Sequence, residues 1–388
     1  MNKHFDIIII GSGMGGYLLA QSIRQQSAQK RIAIITKTDG RFYPKPMLST
    51  ALYHQKTPEM IMTATASEMA AKYDLEIITH TEVKAVDCAQ KKLEIDGQII
   101  RYDALVMATG SHANEIPGLR PVNGYISVNS MEDYEQLIDQ LSQTKNLLII
   151  GSGLVGVEFA HDLLHAGYKV SMVSQTPQAL WGLVPSEIGS RCRDHLVGMG
   201  LDWFEDPGVK AVHEDHQRVA VSFSSRAAAS YDLVLSAIGI KPNIALAQEI
   251  GLSTQRGIVA DQYGRCSSKD VFAIGDCAQI YGLNLTYVAP IKQQAQAIAK
   301  TLTGEQTPIH YPAMPVVVKT PTYPLTLVPV REAEVIGNWQ PQAYPDKTGI
   351  ISAFYDKDQL KGFALAGTAT KERNHWLSKM PPSIVSKS

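Results

Sequence analysis

Two stretches of this 388-residue chain have the residue types and spacing to hold a pyrophosphate. The first, Gly11-Ser12-Gly13-Met14-Gly15-Gly16, directly follows the continuous apolar run Asp6 to Ile10, the pattern of a parallel strand covered on both faces. A helical pattern with Tyr17, Leu18, Leu19, Ala20 and Ile23 on its apolar face comes next, and a second strand, Arg31 to Thr36, completes a βαβ unit of the expected length. Gly11 permits the tight turn, Gly13 lets backbone N–H groups approach a diphosphate, and Gly16 brings the helix against the strand. The arrangement recurs at Asn146 to Ile150, Gly151-Ser152-Gly153-Leu154-Val155-Gly156, a helix through Val157, Phe159, Leu163 and Leu164, and a strand Lys169 to Val173. Two complete units argue for two dinucleotide sites.

Further glycines end apolar strands at Leu105 to Gly110 and Leu233 to Gly239. A third such stretch, Val271 to Ala278, puts Asp276 at the carboxyl end of a strand, where open α/β sheets bind ligands. Asp276 equally fits a helix N-cap. The expected acid about 20 residues beyond the last fingerprint glycine is missing from both units, whose second strands end in Thr36-Lys37 and Ser174-Gln175. No Arg or Lys lies between Ser174 and Ser190 to clamp a 2′-phosphate, so the second site is expected to favour NADH over NADPH.

Composition narrows the classes. Lys plus Arg number 36 against 37 Asp plus Glu, a net charge of -1, and so balanced a chain gives no basic face for nucleic acid. The aliphatic runs Ile7 to Ile10 and Leu147 to Ile150 fall far short of the ~20 residues of a spanning helix. The apolar stretch near the N-terminus ends at Gly11, shorter than the ~7–15 residues of an export signal, so a cytoplasmic location is expected. Cys88, Cys192, Cys266 and Cys277 are far apart, without metal-ligand spacing, so neither a metal site nor disulfide staples are expected.

The order of strand-GxGxxG, Ala108-Thr109-Gly110, a second GxGxxG with Glu158 two residues on, and Gly275-Asp276 resembles the two-dinucleotide flavoproteins, the glutathione-reductase-like pyridine nucleotide oxidoreductases. That resemblance implies an FAD-dependent enzyme, with FAD on Gly11, Ser12, Gly13, Met14, Gly15, Gly16 and Asp276, and NADH on Gly151, Gly153, Leu154, Val155 and Gly156. The disulfide-reducing branch carries a CxxxxC after the second strand; here Gly40 to Thr50 has no cysteine, so dithiol chemistry is excluded. Lys45-Pro46-Met47-Leu48-Ser49, Gly282 to Pro290 and Met314 to Pro321 closely resemble the bacterial rubredoxin:NAD reductases. The likeness is weakest at Ala211 to Ala229 and beyond Tyr355.

This resemblance implies hydride transfer from NADH to FAD, then single-electron transfer to rubredoxin, possible suppliers of an alkane hydroxylase or of oxygen and peroxide detoxification. A ferredoxin or flavorubredoxin reductase is the alternative; a membrane-bound quinone reductase and a flavin sensor without turnover fit less well. By the same likeness Lys45 pairs with Glu158 beside the flavin, as the two catalytic residues, and Lys319 reaches the ring system from a proline-bracketed strand end. Backbone groups of Thr36 and Lys37 hold the adenosine ribose, Val83 embraces the adenine end, and the Val288 backbone N–H faces the pyrimidine oxygens. Read without the likeness, Lys45 is a solvated loop lysine and Glu158 a charge complementing a helix dipole.

The elements that must position these residues form an α/β chain with two Rossmann-like domains. Residues 1–112 and 243–314 make an FAD domain, 113–242 an NAD domain inserted in it, and 315–388 a small α+β C-terminal domain. Pro117, Gly118 and Gly124 mark the first crossover and Lys241-Pro242-Asn243 the return. Lys371, Arg373 and Lys379 could rim a contact with a small acidic carrier, or form a solvated helix face.

Overall fold

The computed structural model describes residues 3–116, 122–216, 218–330, 337–346 and 348–383; Pro117 and Gly118 lie outside them. The five helices that matter for the site are α1 (Met14–Gln26), α2 (Met131–Leu141), α3 (Leu154–His165), α4 (Ser186–Gly198) and α5 (Val288–Leu302). Strand Lys3–Ile10 runs parallel to Ile32–Ile35 on one side and Gln98–Met107 on the other. Glu76–Ile78 extends the first edge and Val271–Ala273 the second, again in parallel. Ile7 to Ile10 are all buried, so both faces of this strand are covered, which is why the run is continuous rather than alternating.

The second unit repeats the plan. Five parallel strands lie in the spatial order Asp202–Glu205, Lys169–Ser174, Asn146–Ile150, Leu233–Ser236 and Tyr125–Ile126. The chain enters and leaves this unit along an antiparallel ribbon, Ser111–Ala113 against Ile240–Pro242. Asn243 locks the ribbon's root, its side-chain N–H donating to the Thr109 carbonyl at 2.8 Å while Thr109 Oγ1 donates to the Asn243 carbonyl at 2.8 Å. The return expected at Lys241 to Asn243 is therefore one strand and the lock of a paired crossing.

The C-terminal region is a five-stranded antiparallel sheet, Val316–Val318, Leu325–Val328, Gln359–Ala366, Ile350–Asp356 and Asn338–Gln342 in spatial order. Its Val318, Leu325, Leu327, Ala364 and Ala366 share a core with Leu147, Ile149 and Val157 of the second unit and with Leu48 and Ala51 of the first. Three parts of the chain thus bury apolar surface in common. Of the tail's apolar residues, Trp376 and Met380 are buried with Phe363 and Leu365 in one core, and Leu377 is half-buried against it. Among the described residues no helix is long and apolar enough to cross one.

Two glycines are sterically obligatory. A Cβ on Gly16 would stand 2.0 Å from the Gly11 carbonyl oxygen, and one on Gly156 2.0 Å from that of Gly151. These are backbone contacts that no rotamer relieves, because here each helix starts within touching distance of the strand that feeds it. Gly16→Ala is expected to destabilise the fold by about 1–3 kcal/mol, measured as a lowered midpoint in urea unfolding; an unchanged midpoint would show that the helix start can slide.

Candidate functional site

Both glycine loops present open helix N-termini. Gly13 caps α1 and Gly153 caps α3, neither with a side-chain hydrogen bond and neither followed by an acid in the first turn. Nothing lies within 4 Å of where a Cβ on either would stand, so the first backbone N–H groups of each helix face free space. An uncapped, unobstructed, positive helix end fits a diphosphate, and the residues fit a dinucleotide at both loops. Gly11 (φ +114°) sits against the Ala108 carbonyl, where a side chain would collide at 2.2 Å.

The missing acids have a common replacement. Ser12 Oγ donates to Thr36 Oγ1 at 2.9 Å in the first unit, and Ser152 Oγ lies 2.7 Å from Ser174 Oγ in the second. The serine inside each fingerprint is thereby tied to a hydroxyl at the end of the next strand. Arg193 of α4 approaches this second loop, donating to the Pro177 carbonyl at 2.5 Å, an approach hidden in the sequence by its distance from Ser174. Its other nitrogens hold Asp194, so its charge is already engaged. Lys37 is exposed, Val83 is buried in the loop after Glu76–Ile78, Leu154 is half-buried, Val155 is exposed, and Val288 heads α5.

Asp276 lies in a short 3-10 turn, Gly275–Cys277, and its carboxylate caps no helix. It accepts from Ser111 Oγ at 2.8 Å and faces Lys45 Nζ at 3.7 Å. Gln294, buried on α5, sets this turn by accepting the Gly275 N–H at 2.8 Å while donating to the Tyr311 hydroxyl at 2.8 Å. Nothing in the sequence separates Gln294 from other helical glutamines. Burial pulls the Lys45 ammonium below the usual lysine range, and the charge of Asp276 opposes that pull.

The expected pairing of Lys45 with Glu158 is corrected: Glu158 is paired with Lys319. Glu158 is 3 % exposed. One carboxylate oxygen accepts the Lys319 backbone N–H at 3.0 Å, and the other accepts Lys319 Nζ together with Ser49 Oγ at 2.6 Å. The geometry has a simple cause: Lys319 ends its strand directly over the first turns of α3, whereas Lys45, at the start of the turn Lys45–Ser49, points toward the Asp276 turn. The turn contacts Glu158 through its other end, Ser49. Arg41 fixes the preceding loop, bound to Asp39 at 2.6 Å and to Glu135 of α2, and the Tyr43 hydroxyl accepts the Met131 N–H at 2.9 Å.

One turn further along α3, Asp162 accepts the N–H groups of Leu52 at 3.2 Å and Tyr53 at 2.7 Å. Burial pushes its carboxyl up to about 6, against those hydrogen bonds. His161, fully buried, is driven down to about 4 by burial and by His195 and His165. The four cysteines are free thiols, and burial pushes Cys192 up to about 12, far from thiolate chemistry. Among the described residues no cluster could hold a metal ion.

Two glycine-loop βαβ units joined by a paired crossing, with an antiparallel sheet closing on the second, offer two places for a dinucleotide in one chain. Residues 5–298 match the pyridine nucleotide-disulphide oxidoreductase family and residues 308–380 match the rubredoxin binding C-terminal domain. The chain belongs to the pyridine nucleotide-disulphide oxidoreductase family, and its cofactors are FAD and NADH. It is 39% identical over 389 residues to a rubredoxin-NAD(+) reductase of Acinetobacter baylyi, covering 98% of each chain. A nitric oxide reductase FlRd-NAD(+) reductase of Vibrio vulnificus is 35% identical over 366 residues, covering 93% of this chain and 94% of that one. A crystal structure of a ferredoxin reductase from Rhodopseudomonas palustris aligns with a TM-score of 0.86 at 26% identity, over 97% of this chain and 96% of that one.

His161 carries a pH prediction. A histidine whose native value lies below its unfolded one binds fewer protons when folded, so its contribution is present above about 6.5 and is lost as pH falls toward about 4. Asp162 works in the opposite sense over the same range, since its raised value favours the protonated native form. Asp162 is common to wild type and His161→Gln and cancels in their comparison. The stability gap between them is expected to shift in favour of the variant, by on the order of 2 kcal/mol, from pH 7 to pH 4.5; a gap independent of pH in urea unfolding would show that His161 is not held neutral.

Proposed function

We propose that this chain is an NADH:rubredoxin oxidoreductase. When bound, FAD supplies an acceptor for the two electrons of a hydride that can release them singly to an iron carrier. The observation that supports the reading most directly is the closure of the C-terminal sheet, within the segment matching a rubredoxin binding domain, onto the second nucleotide unit through Lys319 and Glu158. A chain with no cysteine between Gly40 and Thr50 has no dithiol partner there and suits an acceptor outside the protein.

In this reading Gly11 to Gly16 and Asp276 hold FAD, with Thr36, Lys37, Val83 and Val288 contacting it through the backbone. Gly151, Gly153, Leu154, Val155 and Gly156 hold NADH. Lys45 and Lys319 present positive charge where negative charge gathers on reduction. Glu158 keeps Lys319 in place, and Ser49 couples the turn that bears Lys45 to the same carboxylate. We place the boundaries of the FAD domain at 1–112 and 243–314, of the NAD domain at 113–242 and of the C-terminal domain at 315–388, and the protein in the cytoplasm, in keeping with its four free thiols.

The similarity to a flavorubredoxin-type reductase supports a second acceptor class. Anaerobic stopped-flow of the holoprotein with NADH, followed by mixing with rubredoxin, a flavorubredoxin or a ferredoxin, separates these. Flavin bleaching followed by the fastest electron transfer to rubredoxin is expected; bleaching without rubredoxin reduction would falsify the acceptor assignment and leave the nucleotide sites standing. Lys45→Met and Glu158→Gln are each expected to slow flavin reduction by NADH roughly tenfold or more while FAD is retained. Unchanged rates in both variants would remove their assigned roles.

A further inference from the structure

The loop beyond Lys319 is held by hydrogen bonds that the chemistry above does not use. The Thr322 backbone N–H donates to His161 Nε2 at 3.4 Å, and Thr322 Oγ1 lies 2.7 Å from the same nitrogen. A ring nitrogen that receives a backbone N–H carries a lone pair, so His161 Nε2 accepts from the loop. The same hydroxyl oxygen lies 2.8 Å from His195 Nε2. The hydroxyl also lies 3.7 Å from Met199 Sδ, so the Thr322 side chain stands among three partners, two of them imidazoles. Thr322 thus bridges His195 on α4 and His161 on α3.

Spacing gives this arrangement its meaning. His161 stands three residues after Glu158 on α3, and Thr322 three residues after Lys319 on the loop, so the helix and the loop are joined by two successive rungs. The first rung joins Glu158 to both the backbone N–H and the ammonium of Lys319, which anchors the loop at one residue and leaves its angle about that point open. A second rung one turn on removes that freedom, as two points fix a line. His161 is fully buried beneath the loop while Thr322 is exposed, so the rung lies at the rim of the packed core.

We propose that Thr322, held between His161 and His195, is a positioning residue that fixes Lys319 for the reaction proposed above. The proposal rests on that reading's placement of Lys319 beside the flavin. The groups that face His161 are His165 on its own helix, His195 on α4, Tyr53 from the segment after the Lys45 turn, and Thr322 itself. The neighbouring carboxylate, Asp162, is directed to the Leu52 and Tyr53 N–H groups.

Thr322→Val keeps the side-chain shape and loses the hydroxyl; Thr322→Ser keeps the hydroxyl. In purified holoenzyme, Thr322→Val is expected to slow flavin reduction by NADH about fivefold and to move the flavin midpoint potential to a more negative value at wild-type FAD content. Thr322→Ser is expected to restore both to within about twofold of wild type, since the hydrogen bonds remain. Lys319→Met is measured alongside. If Lys319→Met shifts rate and potential and Thr322→Val shifts neither, the positioning role is overturned while the placement of Lys319 stands. If Lys319→Met shifts neither, that placement falls and the proposal falls with it. Should Thr322→Val not retain FAD, His195→Leu against His195→Gln makes the same comparison, because glutamine keeps a hydrogen-bonding side chain. Loss with leucine and retention with glutamine supports the proposal, and wild-type behaviour of the leucine variant overturns it.

Discussion

A carboxylate sealed from water must find enough donors or the fold that seals it does not persist. Glu158 is that group here. Its three hydrogen-bonding contacts come from Ser49 in the first nucleotide unit and from the backbone and side chain of Lys319 in the C-terminal sheet, while the residue itself belongs to the second unit. One buried charge therefore requires all three parts of the chain to be present and in register. Asp162 repeats the device a turn later with the N–H groups of Leu52 and Tyr53. Helix α3 is thus both the support of a nucleotide site and the bracket from which two separate segments hang.

The apolar core tells the same story in a different interaction. Leu48 and Ala51, Val318 and Leu325, and Val157 pack in one cluster, so the segments that satisfy Glu158 also bury surface beside it. Hydrophobic burial brings the segments together without direction, and the carboxylate contacts set their angle. Neither suffices alone: packing without donors strands the charge, and donors without packing leave it in water, where the pair is weak.

Much of this architecture is legible in the sequence because its rules are local. Strand, glycines and helix lie within one βαβ unit, and the steric need for Gly16 beside Gly11 is set by residues five apart. The strands Asn146–Ile150 and, to within a residue at each end, Ile32–Ile35 emerge from apolar runs and turn residues alone. What the sequence hides is pairing between distant side chains. Lys45 and Lys319 have the same chemistry, and choosing which of them meets Glu158 requires knowing where two remote segments arrive. Gln294, Arg193 and Thr322 stay silent for a related reason: an ordinary polar residue acquires its role from neighbours many residues away.

The ribbon Ser111–Ala113 and Ile240–Pro242 crosses between the nucleotide units as two hydrogen-bonded strands rather than two independent tethers. A single strand twists and bends about any axis, while a paired ribbon resists shear in its own plane and flexes across it. The C-terminal sheet shares its core with the unit beyond the ribbon and with Leu48 and Ala51 of the first unit, so neither unit can turn about the ribbon without parting that core. Exchange of the acceptor-side sheet for another during evolution would therefore require recutting the core of the second unit as well.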